Sequence, residues 1–134
     1  MIVEDIENGL EAVLGNGGTG YNIAFPNKDH GGEKPHIKVQ FSGRTQIGNA
    51  LKGGQIDRVN GVLQLTVISD VGIQSRPSNT MAQTIANLYG AGDIIPITGG
   101  NIVISRKPDI RDGYRDGSDW RVPVIIRYTA TSVI

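Results

Sequence analysis

The chain has 134 residues, with 13 basic and 13 acidic side chains, 19 glycines and no cysteine. That length suits one domain with one core, and the lack of cysteine excludes disulfides, thiolate metal sites and a cysteine nucleophile. A formal net charge of zero argues against a protein that grips nucleic acid over a broad basic face. The start, Met1-Ile2-Val3-Glu4-Asp5-Ile6-Glu7, is acidic and amphipathic, unlike a secretory signal. No stretch approaches the ~18 apolar residues of a membrane span, so the chain is expected to fold in a cytoplasm, away from any membrane.

In chain order, Ile2, Ile6, Leu10, Val13 and Leu14 recur at helical steps with acids between them, which predicts a helix over residues 2–14. Gly15 and the glycine-rich stretch to Gly20 stop it. Tyr21–Phe25 is a short strand closed by Pro26-Asn27, and residues 28–35 read as a loop. In His36–Ser42, Ile37, Val39 and Phe41 alternate with Lys38, Gln40 and Ser42, the signature of a half-buried strand. Residues 43–60 read as a long functional loop or as an extended hairpin with polar faces. Val62–Ile68 is the strongest strand, β-branched and mostly apolar.

Ser75–Tyr89 returns to helical spacing, with Met81, Ala82, Ile85, Ala86 and Leu88 as its buried stripe and Gly90 as its stop. Ile94–Ile97 is broken by Pro96 and reads as an edge or a connection; Asn101–Arg106 is a further strand. Residues 107–119 read as a polar loop with two Asp-Gly turn signals. The last strand, Trp120–Thr129, sets Val122, Val124, Ile126 and Tyr128 against Arg121, Pro123, Ile125 and Arg127, and Pro123 places its start at an edge or a bulge. The order is helix, two strands, long loop, strand, helix, two strands. It predicts a single α+β domain over residues 1–134, with two helices packed on one mostly antiparallel sheet joined by long loops.

Chemical motifs are sparse. Gly15–Gly20 matches G-x-G-x-x-G, but a helix precedes it and a strand follows, the reverse of a dinucleotide site, so it reads as a helix stop and a turn. His30 and His36, with Asp29 and Glu33, sit around a Gly-Gly pair and Pro35 and lack a regular ligand-bearing face. Asp109, Asp112, Asp116 and Asp119 lack the order of a calcium loop and its closing glutamate. There is no nucleophile-elbow arrangement. The expectation is no enzyme, no metal and no cofactor.

Charge is unevenly spread. Residues 1–33 carry six acids and one base, whereas residues 34–134 carry twelve bases and seven acids. One reading is a solvated acidic helix. The other is an acidic helix (Glu4, Glu7, Glu11) that meets a neighbouring subunit's basic loop in a heterologous ring, which salt would weaken.

Three stretches carry a resemblance. Phe25-Pro26-Asn27 is followed by a polar loop and Pro35-His36-Ile37-Lys38-Val39. Arg58-Val59-Asn60-Gly61 opens the strand Val62–Val67, which is followed by Gly72 and the alanine-rich helix of Ala82, Ile85, Ala86 and Leu88. Trp120-Arg121-Val122-Pro123-Val124 leads to Tyr128. Together these resemble the tail terminator, or tail-completion, proteins of long-tailed bacteriophages. The chain departs from the family pattern at Leu88-Tyr89, where a Phe is expected, and in the acidic, glycine-rich stretch 107–119.

The resemblance implies a structural virion protein, assembled in the host cytoplasm and sited at the head-proximal end of the tail. It implies a homo-oligomeric ring, commonly a hexamer, that caps the tail tube, stops its polymerisation and offers a surface for head joining. The implied partners are the tube protein and a head–tail connector or neck protein, with DNA passing through the channel without sequence-specific binding. The expected ring or docking contacts are Arg58 first, then Arg44, Lys52, Arg111 and Arg115 of the two loops, and Glu4, Glu7 and Glu11 of the helix. The alternatives are a head–tail joining or neck adaptor protein and a cytoplasmic small-ligand-binding domain with its site in residues 15–36.

Overall fold

A computed structural model describes residues 3–17, 21–25, 35–47, 58–70 and 75–132. Two helices, α1 (Val3–Gly15) and α2 (Ser75–Ala86), accompany eight strands. The strands are β1 (Asn22–Ala24), β2 (His36–Ile47), β3 (Arg58–Asp70), β4 (Ile94–Ile97), β5 (Gly100–Ile104), β6 (Asp109–Ile110), β7 (Tyr114–Asp116) and β8 (Asp119–Ser132). They form one sheet in the order β1-β2-β3-β8-β5-β4, with β6 and β7 also paired to β8. All pairings are antiparallel except β1 with β2. This is the α+β architecture expected from the sequence.

Strand alternation decides which face the helices cover. Ile37 and Val39 of β2, Val59, Leu63, Leu65 and Val67 of β3, Ile102 and Ile104 of β5, and Val122, Val124, Ile126, Tyr128 and Ala130 of β8 are buried and point one way. They form a single cluster with Ile6, Leu10 and Leu14 of α1 and Met81, Ala82, Ile85 and Ala86 of α2. Both helices therefore lie on one face, called here the inner face. The outer face carries the alternate residues, among them Lys38, Gln40, Asn60, Val62, Ile125, Arg127 and Thr129.

Close packing of α1 depends on Gly9, where a β-carbon would collide with the Ile97 side chain of β4. Tyr89, fully buried just beyond α2, ties the helical layer together by donating its hydroxyl to the Leu10 carbonyl at 2.8 Å. The Ser69 and Ser78 hydroxyls are buried against each other at 2.8 Å, joining the end of β3 to the first turns of α2.

Several expectations change. Of residues 43–60, the hairpin reading holds where the chain is described: β2 runs to Ile47 and pairs antiparallel with β3 from Arg58, while residues 48–57 lie outside the described set. The loop 107–119 contains β6 and β7, stitched to β8. Ile94–Ile97 is an edge strand, one of the two expected readings. Pro123 instead lies in central strand β8, opposite Thr66. Its carbonyl accepts from the Arg111 N–H at 2.9 Å, so its missing N–H faces the same side, where the ladder breaks between β6 and β7. The lost donor thus falls in a gap rather than at an edge.

Candidate interaction surfaces

Two features occupy opposite faces near the β2–β3 end of the sheet. The first is built by a β-bulge. The register passes from Ser42 opposite Val62 to Thr45 opposite Asn60, so Gly43 and Arg44 together face Gly61. Gly43 has φ of +61°, the left-handed conformation that such a bulge demands and glycine accepts. Without the extra residue, strand alternation would put Arg44 on the outer face beside Ser42. With it, Arg44 reaches Glu7 of α1, at 3.7 Å between Nη1 and Oε1.

Tyr128 sits in the same corner. Gly61 lies directly opposite it in β3, and a β-carbon there would strike the phenol ring and hydroxyl. Burial raises the pKa of the Tyr128 hydroxyl above its ordinary value, Arg44 opposes that shift and Glu7 adds to it. The bulge at Gly43 thus brings Arg44 within reach of Glu7 on α1, and the glycine at 61 leaves room for the Tyr128 ring.

The second feature is a shallow hollow of about 300 Å³ on the outer face, lined by Asn60, Val62, Ser105, Arg106, Arg127 and Thr129 among others. Its polar wall is pre-ordered: Thr129 donates to Asn60 Oδ1 at 2.8 Å, and the Ser105 and Thr129 hydroxyls lie 3.1 Å apart. Among the described residues Arg106 and Arg127 have no ion-pair or hydrogen-bond partner for their side chains, and the same holds for Lys38 on β2 and Arg58 at the start of β3.

The sequence-expected contact residues fall in different settings. Arg58 begins β3, exposed and opposite Thr131 of β8. Arg44 belongs to strand β2 and is paired within its own chain to Glu7, so neither is a bare loop or helix charge. Lys52 lies outside the described residues. Arg111 bonds Asp109 at 2.8 Å, and Arg115 donates to the Gly117 carbonyl at 3.1 Å, so both are engaged within the β6–β7 segment. Glu4 is exposed on α1, and Glu11 lies half-buried on the same stripe. Sequence reading did not single out Lys38, Arg106 or Arg127. The alternation of His36–Ser42 and Trp120–Thr129 already put two of them on the solvent face.

Of the four loop aspartates, Asp109 pairs with Arg111, and Asp116 and Asp119 approach Arg121 at 3.3 Å and 3.2 Å. Among the described residues no three His, Asp or Glu side chains gather as a metal site. Asp29, His30 and Glu33, and part of the glycine-rich stretch 15–20, lie outside them. No helix of the described chain is long and apolar enough to cross a membrane.

A solved structure shares this fold, with a TM-score of 0.68 over 96% of this chain and 97% of that one, at 15% sequence identity. No curated protein matches the chain significantly. The family model described as phage tail terminator protein matches residues 5–128, all but the two ends of the chain. The chain therefore belongs to the phage tail terminator family, a structural family of phage tail completion.

Proposed function

We propose that this protein closes the head-proximal end of the phage tail tube as a ring of identical subunits, a hexamer by the family resemblance. The ring stops addition of further tube subunits and presents the surface that a head–tail connector or neck protein joins. DNA crosses its channel without being read. The observation that carries this reading is the family match over residues 5–128. The fold is compatible with it: helices cover one face of the sheet, and the other carries cations that have no partner among the described residues. The role is mechanical, and no catalytic group is assigned.

Electron microscopy of lysates from a phage or prophage lacking this gene tests the proposal. Overlong tails without heads are the expected result. Tails of normal length beside separate heads would instead indicate a joining protein. Intact infectious particles would refute a virion role.

A further inference from the structure

We infer that the hollow on the outer sheet face receives the acidic flank of helix α1 from a second copy of this chain, in a head-to-tail contact. The inference rests on the proposed ring and names the surfaces that build it.

The acidic side of the contact is set by helical geometry. Glu4, Glu7 and Glu11 are spaced by three and four residues, so they share one stripe of α1 beside the buried stripe of Ile6, Leu10 and Leu14. Glu4 is exposed and has no partner among the described residues, and Glu7 is only loosely held by Arg44 at 3.7 Å. The basic side is set by strand alternation and by the link after β5. Arg127 projects from the outer face of β8, and Arg106 joins it at the hollow. Lys38 and Arg58 extend the positive field across β2 and β3. Among the described residues none of these four has a carboxylate partner.

The two surfaces cannot meet within one chain. Helix α1 packs on the inner face, while the hollow opens on the outer face, so the thickness of the sheet separates them. A contact between unlike surfaces on opposite sides of a protomer is heterologous, the kind of contact that builds a ring when its rotation closes. Between the cations, Val62 and Ile125 present half-buried apolar surface, and the Asn60–Thr129–Ser105 chain holds the polar wall in place. A carboxylate entering the hollow would meet two arginines that line it, the side chain that suits bidentate carboxylate recognition. The bulge at Gly43 contributes by exclusion: it removes Arg44 from the outer face and leaves the hollow open.

The test is charge reversal with restoration, read by sedimentation velocity and native mass spectrometry of the full chain. Arg106→Glu with Arg127→Glu, and separately Glu4→Lys with Glu11→Lys, should each raise the concentration needed for assembly by about tenfold or more. A chain carrying all four substitutions should assemble again, which also shows that the variants fold. Wild-type assembly should weaken as salt rises from low to physiological strength. Wild-type protein that sediments only as a monomer, unchanged assembly in either double variant, or no restoration in the fourfold variant would overturn the docking inference. Tail length in phage carrying the variants separates the two levels. If assembly ignores these charges while deletion of the gene still yields overlong tails, the docking inference fails and the terminator role stands.

Discussion

Gly61→Ala should reveal by its sign how tightly Tyr128 is lodged against the sheet. In an open strand position, alanine is favoured over glycine by about 0.5–1 kcal/mol, because glycine loses more backbone freedom on folding. At position 61 the new methyl would instead overlap the Tyr128 ring and hydroxyl, and Tyr128 is only 3% exposed, with little room to retreat. Overpacking of this kind costs about 1–3 kcal/mol, so the net effect should be a loss of about 1–2 kcal/mol. Tyr128→Leu alone should cost about 2 kcal/mol through lost packing. In the double variant the methyl occupies space the ring has vacated, so the combined loss should fall short of the sum by about 1–2 kcal/mol. Urea denaturation of the four proteins, compared at a common slope, measures this coupling. A stabilised Gly61→Ala, or losses that add within about 0.5 kcal/mol, would refute the close contact.

Three further outcomes follow from the same geometry. Tyr89→Phe should lower stability by about 1 kcal/mol, since it removes the buried bond to the Leu10 carbonyl. Burial, with Glu11 nearby, holds the Tyr89 hydroxyl well above its ordinary value of 10.0, so its contribution is complete below about pH 10 and declines at higher pH, where the unfolded chain releases the proton first. Thermal melts across that alkaline range should fall less steeply for the variant; parallel slopes would contradict this. Ser69→Ala or Ser78→Ala, each stranding a buried hydroxyl, should cost about 1–3 kcal/mol, while the double variant should cost less than the sum in chemical denaturation. Glu7→Gln should change stability by less than about 1 kcal/mol, because its partner Arg44 is 47% exposed and the pair is screened; melts at low and high salt check this.

Much of the fold was legible because alternation and helical spacing report burial directly. Ile6, Leu10 and Leu14, and Val122 to Tyr128, lie on the faces their spacing assigned. The reading of β2 stopped at Ser42 because the bulge at Gly43 breaks the alternation one residue later, although the strand itself continues to Ile47. Arg58 and Asn60 looked like loop because they lie on the solvent face of β3 and Gly61 interrupts the pattern. Strands as short as Asp109–Ile110 and Tyr114–Asp116 have no period of their own and exist because β8 offers them a ladder. The pairing of Arg44 with Glu7 was hidden for the same reason as the bulge: one extra residue moves a side chain across the sheet. The outer cations Lys38 and Arg127 were visible as solvent-facing positions, but Arg106 joins them only through the path of the chain after β5.

The central claim is that this protein stops growth of the tail tube. Purified tube subunits polymerising in solution, with and without the protein, test it most directly, with tube lengths measured by electron microscopy. The account expects growth to halt when the protein is added, with a cap of added density at one tube end. Tubes that lengthen equally in its presence, or density spread along their sides, would contradict it.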